Sequence, residues 1–265
     1  MFEYYKISEK VYIFYKKRDR EELLSVFEGI EEELKKIDEI LDKGLENPIR
    51  VYFTDSMLSV MLHTTSFAKK IIMLVFLPIW YRKAKKYWNY SKGWLMKNSI
   101  INSIVLKTAE GLESTVNVEK GFSKDEFVCK DTREDQRRVF LHQYIQALLS
   151  DINKPEWLEE GLSYYTMEKY YGSQFLKDET LEMVQDMPES SIEDIIFSGI
   201  KGYWMVKYIE KEYPNMINEL LKETKEKELP SIEKALFERI DGVDDKKQLF
   251  EKAYSSLTKE NGVLS

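Results

Sequence analysis

Cysteine is almost missing from this chain: Cys129 is the only one in 265 residues, which excludes an intrachain disulfide and fits a reducing compartment. Glycine (11) and proline (6) are scarce, so neither a collagen-like repeat nor a low-complexity tract is present. The longest strongly apolar run, Ile71 to Trp80 (IIMLVFLPIW), contains Pro78 and falls well short of the roughly 20 residues of a spanning helix. The opening residues MFEYYKISEKVYIFYKK lack the apolar core of a secretory signal. Together these absences lead us to expect a folded, cytoplasmic protein without a simple transmembrane span.

A local absence says more. Between Asp55 and Glu110 there is no acidic residue, while Lys69, Lys70, Arg82, Lys83, Lys85, Lys86, Lys92, Lys97 and Lys107 give that window +9; the chain's net charge of −7 leaves −16 elsewhere. From Lys69 to Lys97 the cations alternate with Trp80, Tyr81, Tyr87, Trp88, Tyr90 and Trp94. Mixed aromatic and basic side chains suit an acidic protein or peptide partner, or an anionic membrane surface. Nucleic acid is disfavoured, because the remaining chain is strongly acidic and no recognised binding motif accompanies the patch. Lys69, Lys70, Trp80, Arg82, Lys83, Lys85, Lys86 and Trp88 are the candidate binding residues, against the plainer reading of an amphipathic helix with solvated lysines.

What is abundant is core material: 43% of residues are hydrophobic, with 17 Tyr, 13 Phe and 5 Trp. Val11 to Tyr15 (VYIFY) and Ile49 to Phe53 (IRVYF) are β-branched and aromatic and predict strands. Between them Leu23, Leu24, Phe27, Ile30, Leu34, Ile37 and Leu41 recur at three- and four-residue steps, predicting one helix over about 20–41 that Gly44 and Pro48 end. This is a β-α-β unit. A helix bent at Pro78 is expected over about 67–90, then strands at Ile100–Lys107 and Ser114–Val118 with Glu110 and Gly111 as turn residues. Thereafter the pattern is helical, near 133–150, 155–171, 200–212, 214–226, 230–239 and 244–257. We expect an α+β protein with an N-terminal α/β lobe over 1–131, carrying the basic aromatic insertion at about 67–97, and a helical part over 132–265, forming one compact unit.

Val139 to Leu149 reads VFLHQYIQALL, and Lys154 to Tyr165 reads KPEWLEEGLSYY. The two segments resemble the run L-x-H-E-x-x-H-x-L-L followed by P-x-W-L-x-E-G-L-A-x-Y, so the chain is similar to the gluzincin (thermolysin-like, peptidase MA-like) zinc metallopeptidases. That resemblance implies a thermolysin-like architecture, with a small mixed sheet ahead of the motif helices and a helical C-terminal lobe. It also implies zinc held by two histidines four residues apart on one helix face, with a third ligand, a Glu, from a second helix. By position it puts His142 at the first ligand, Gln143 at the general base, Gln146 at the second histidine and Glu160 at the third ligand.

Two of those four positions are changed. Gln143 has a neutral amide that takes no proton from water, and Gln146 offers an amide where zinc needs an imidazole. His142 and Glu160 alone would make a weak or vacant site. No cofactor is therefore expected, and the implied function is a catalytically inactive metallopeptidase-like binding or regulatory module using the former cleft and the basic segment. An active metal-dependent hydrolase with an unorthodox site, retaining zinc, is one alternative. A peripheral membrane protein using Ile71 to Trp94 as its foot is another. His63, the only other histidine, has no spacing that aims it at His142. Trp157, Leu158, Leu162, Tyr165, Tyr203, Trp204 and Tyr208 read as packing residues and Cys129 as a structural thiol.

Overall fold

The computed structural model describes residues 2–64, 81, 85, 88–97, 101–113, 115, 121–128, 131–185, 193–227 and 231–260. It divides into two compact units, one of residues 1–36 with 44–147 and the other of 37–43 with 148–265. The architecture is α+β, with one five-stranded mixed sheet and a majority of helix.

In the first unit the strands are β1 (Phe2–Ser8), β2 (Val11–Lys16), β3 (Ile49–Phe53), β4 (Gly93–Met96) and β5 (Asn102–Leu106), in the order β1-β2-β3-β5-β4. β2, β3 and β5 run parallel, and β1 and β4 close the edges antiparallel. The helices of this part of the chain are α1 (Arg20–Phe27), α2 (Ile30–Leu41), α3 (Met57–Thr64), α4 (Ala109–Glu113) and α5 (Thr132–Leu148). The parallel pair β2 and β3 needs a crossover, which α1 and α2 supply.

Because side chains alternate along a strand, one register row across the sheet reads Tyr5, Ile13, Val51, Ile104, Leu95 and the next Tyr4, Phe14, Tyr52, Val105, Trp94. Ile13, Val51 and Ile104 of the first row are wholly buried. On that face Phe27 of α1 meets Phe53 edge-on at 6.2 Å and Phe140 of α5 at 5.0 Å. The opposite face carries a smaller cluster of Tyr52, Val60, Trp88 and Val105, flanked by Phe2, Phe14, Met57, Trp94 and Met96.

The expected single helix over 20–41 is two helices, separated at Gly29, whose φ of +69° lies in the left-handed region that glycine tolerates best. Leu24, assigned to the apolar stripe, is 42% exposed. Glu110 and Gly111 form part of α4 rather than a turn. The edge strands β1 and β4 were not anticipated. The expected helix over 67–90 lies outside the described residues except for helical positions 81, 85 and 88–90, and the expected strand at 114–118 lies outside them except for Thr115.

The second unit contains α6 (Glu156–Tyr171), α7 (Glu179–Met183), α8 (Glu193–Glu212), α9 (Met216–Lys227), α10 (Ile232–Phe237) and α11 (Lys246–Glu260). α8 is its axis: Tyr203, Trp204, Met205, Val206 and Ile209 are all essentially without exposure. α6 crosses α8 with backbones in direct contact. Any Cβ on Gly202 would collide with the Trp157 carbonyl, and one on Gly161 with the Gly202 backbone. Gly172 ends α6 at φ +71°, its N–H donating to Glu168 O. Among the described residues no helix is long and apolar enough to cross a membrane.

Candidate functional site

The motif helix α5 begins where the Asp131 carboxylate accepts the Arg133 N–H at 2.9 Å, with Glu134 and Asp135 in the first turn complementing the helix dipole. From Val139 to Leu148 it is buried on nearly every side, with Phe140, Leu141 and Ile145 wholly buried. Its polar residues are therefore held in place by their surroundings.

His142 is half-buried, and Gln143 and Gln146 are 8% and 7% exposed. Residues four apart share a helix face, and Gln146 Nε2 sits 3.2 Å from His142 Nε2. An amide nitrogen donates, so in this contact the imidazole Nε2 is the acceptor. The ring nitrogen that a second ligand at 146 would share with a metal is thus engaged by the amide at 146. One residue along, the Gln143 Oε1 is buried with no hydrogen-bond partner among the described residues.

Glu160 lies on α6 in the second unit, half-buried, its Cβ against the α8 backbone at Gly199. The preceding Glu159, 8% exposed, pairs with the buried Lys154 at 3.3 Å. Lys154 also donates to Leu149 O and to Ile152 O, the latter at 3.4 Å, so it ties the turn after α5 to the start of α6. His63 is on α3, exposed, its Nδ1 2.7 Å from Ser59 O and its ring edge-on to Phe2 at 4.7 Å. Among the described residues no group of three or more His, Cys, Asp or Glu side chains is placed to hold a metal ion. The motif residues of α5 offer a metal one imidazole and two amides, where a zinc peptidase site needs two imidazoles.

Of the predicted binding residues, Lys69, Lys70, Trp80, Arg82, Lys83 and Lys86 lie outside the described residues, as does Cys129. Lys85 is exposed. Trp88 is packed into the smaller cluster, edge-on to Trp94 at 4.9 Å. Trp157, Leu158 and Leu162 are buried, Tyr165 half-buried.

Two polar groups escaped the sequence reading. Lys107, one of the nine cations of the acid-free window, is wholly buried at the end of β5. Its ammonium donates to Trp88 O and to Thr115 Oγ1 at 2.7 Å and stands 4.9 Å from the Trp88 ring centroid. Burial pulls its pKa down to about 8. In the second unit Tyr203 donates to Glu168 Oε2, and Lys207 reaches Glu168 Oε1 at 3.1 Å and Gln174 Oε1 at 2.7 Å. Burial, then the Glu168 charge, hold the Tyr203 hydroxyl far above its ordinary range, so it serves as a fixed donor and not as a titrating acid. Neither group had a one-dimensional signal beyond Lys107 following the strongly apolar IVL.

Comparison with known proteins gives no match, either to a family model or to a curated sequence.

Proposed function

We propose that the chain is a catalytically inactive metallopeptidase-like protein on a thermolysin-like scaffold, acting in the cytoplasm as a binding or regulatory module. The supporting observation is the Gln146 amide on His142 Nε2, at the place where a peptidase would set a second imidazole. Gln143 adds to it: a neutral amide in the general-base position takes no proton from water. In this reading the former cleft and the cationic aromatic segment hold an anionic partner.

Metal analysis of protein purified without chelators tests the loss of the site. No stoichiometric zinc is the expected result, and one tightly held equivalent per chain overturns the proposal. The double variant Gln143→Glu with Gln146→His restores the base and the second imidazole. If the architecture is the peptidase one, with Glu160 in the third place, this variant takes up zinc; a folded double variant that takes up none removes the assignment.

A further inference from the structure

We infer that the sheet face opposite α1, with the chain that packs on it, is a docking surface for an anionic lipid bilayer. The face-up side chains of β1, β2 and β3 include Tyr4, Lys6, Tyr12, Phe14, Arg50 and Tyr52; among the described residues no strand places a carboxylate on this face, while Lys6 is paired with Glu9 of the β1–β2 turn at 2.5 Å and Arg50 is left as its outlying cation. The elements lying on it, α3 and the helical turn at Trp88, come from the stretch between Asp55 and Glu110 that has no acidic residue.

The exposed residues of this face and of the elements packed on it have the composition of an interfacial surface. Tyr4 is 68% exposed, Tyr90 47% and Leu58 39%. Arg50 is exposed, its guanidinium 6.0 Å over the Phe14 ring, and makes no ion pair among the described residues. Lys85, three residues before the packed Trp88, is exposed as well. Tyrosine rings settle at the headgroup level while arginine and lysine meet lipid phosphates.

A lipid surface is favoured over the other anionic partners by the aliphatic component. Leu58 of α3 is exposed beside the packed Met57 and Val60, and a base or an acidic peptide gives such a side chain little to bury in. Acyl chains do. The inference names a partner for the described residues of this face and rests on the binding-module reading alone; zinc uptake, which decides the inactive-site half of that reading, is independent of it.

The test is co-sedimentation of the full chain with vesicles of phosphatidylcholine alone and of phosphatidylcholine with 30% phosphatidylserine, at low and high salt. Binding to the anionic vesicles only, weakened by salt, is expected. Arg50→Glu with Lys85→Glu should lower the partition coefficient by roughly thirtyfold or more, since each cation near the surface contributes about 1 kcal/mol. Lys35→Glu with Lys36→Glu makes the same charge change on exposed positions of α2 and should leave it within about twofold. Tyr4→Ser with Tyr90→Ser should weaken binding at both salt concentrations, because ring insertion is not screened. Absence of binding at low salt overturns the inference, as does equal sensitivity to the two charge reversals. Preferential binding of a single-stranded oligonucleotide that displaces vesicles assigns the surface to nucleic acid instead and overturns it too.

Discussion

Replacing Lys107 with methionine should change how stability depends on pH, and the direction follows from where the amine sits. It is wholly buried, with a carbonyl, a hydroxyl and an indole face as neighbours. Burial lowers its pKa from 10.5 to about 8. Below pH 8 both the folded and unfolded chains carry the proton, so the cost of a buried charge is fully present. Between about 8 and 10.5 the unfolded chain binds more protons, so stability rises with pH; above that window the contribution is flat. The full shift corresponds to at most about 3–4 kcal/mol, and screening by water near the partly exposed residues beside it brings this to about 2 kcal/mol. Methionine keeps the volume and removes the titration, but leaves Trp88 O and Thr115 Oγ1 without their donor, at a cost of about 1–2 kcal/mol. The variant should therefore nearly match the parent at pH 7 and fall behind it by about 2 kcal/mol at pH 10. Urea unfolding followed by far-ultraviolet circular dichroism at the two pH values measures the difference. Parallel pH dependences in parent and variant, or a parent that loses ground as pH rises, would refute the reasoning by showing that the three neighbours stabilise the ammonium more than burial penalises it.

Two pairs of substitutions test the motif helix and the helix crossing. Gln143→Leu removes a buried carbonyl oxygen that has no partner among the described residues and should be neutral or stabilising by about 1 kcal/mol, whereas Gln143→Glu alone puts a carboxylate there and should lower stability by about 2–4 kcal/mol; thermal melting compares them, and a Leu variant less stable than the Glu variant contradicts the burial described. Gly202→Ala meets backbone at the Trp157 carbonyl and should cost about 3 kcal/mol or more, while Gly121→Ala, with nothing within 4 Å of the added methyl, should melt with the parent.

Much of the helical content was legible because it follows from short-range spacing. The stripe of Leu23, Phe27, Ile30, Leu34, Ile37 and Leu41 does bury, and the strands VYIFY and IRVYF are where their β-branched and aromatic residues put them. The break at Gly29 was hidden because Phe27 and Ile30 keep a helical interval across it, so apolar spacing alone cannot register a reversal of φ. β1 was missed for the opposite reason: as an edge strand it is mostly exposed, and a strand with no buried face shows no alternation to read. In α5 the pairing of His142 with Gln146 was implicit in their four-residue separation, but which nitrogen faces which was not.

The amino-acid order by itself determined the α+β class, the helix-face partnership of His142 and Gln146, and the confinement of cations without acids to one stretch, since each depends on residue identity and local spacing. Only the tertiary structure decided which members of that stretch are inside and which outside. Lys107 and Trp88 went into the unit's interior while Arg50, distant in sequence, joined Tyr4 and Tyr90 among its exposed side chains. The physical reason is that burial is set by which strands become neighbours and which face each presents, and parallel pairing of β2, β3 and β5 brings together residues that no local pattern relates.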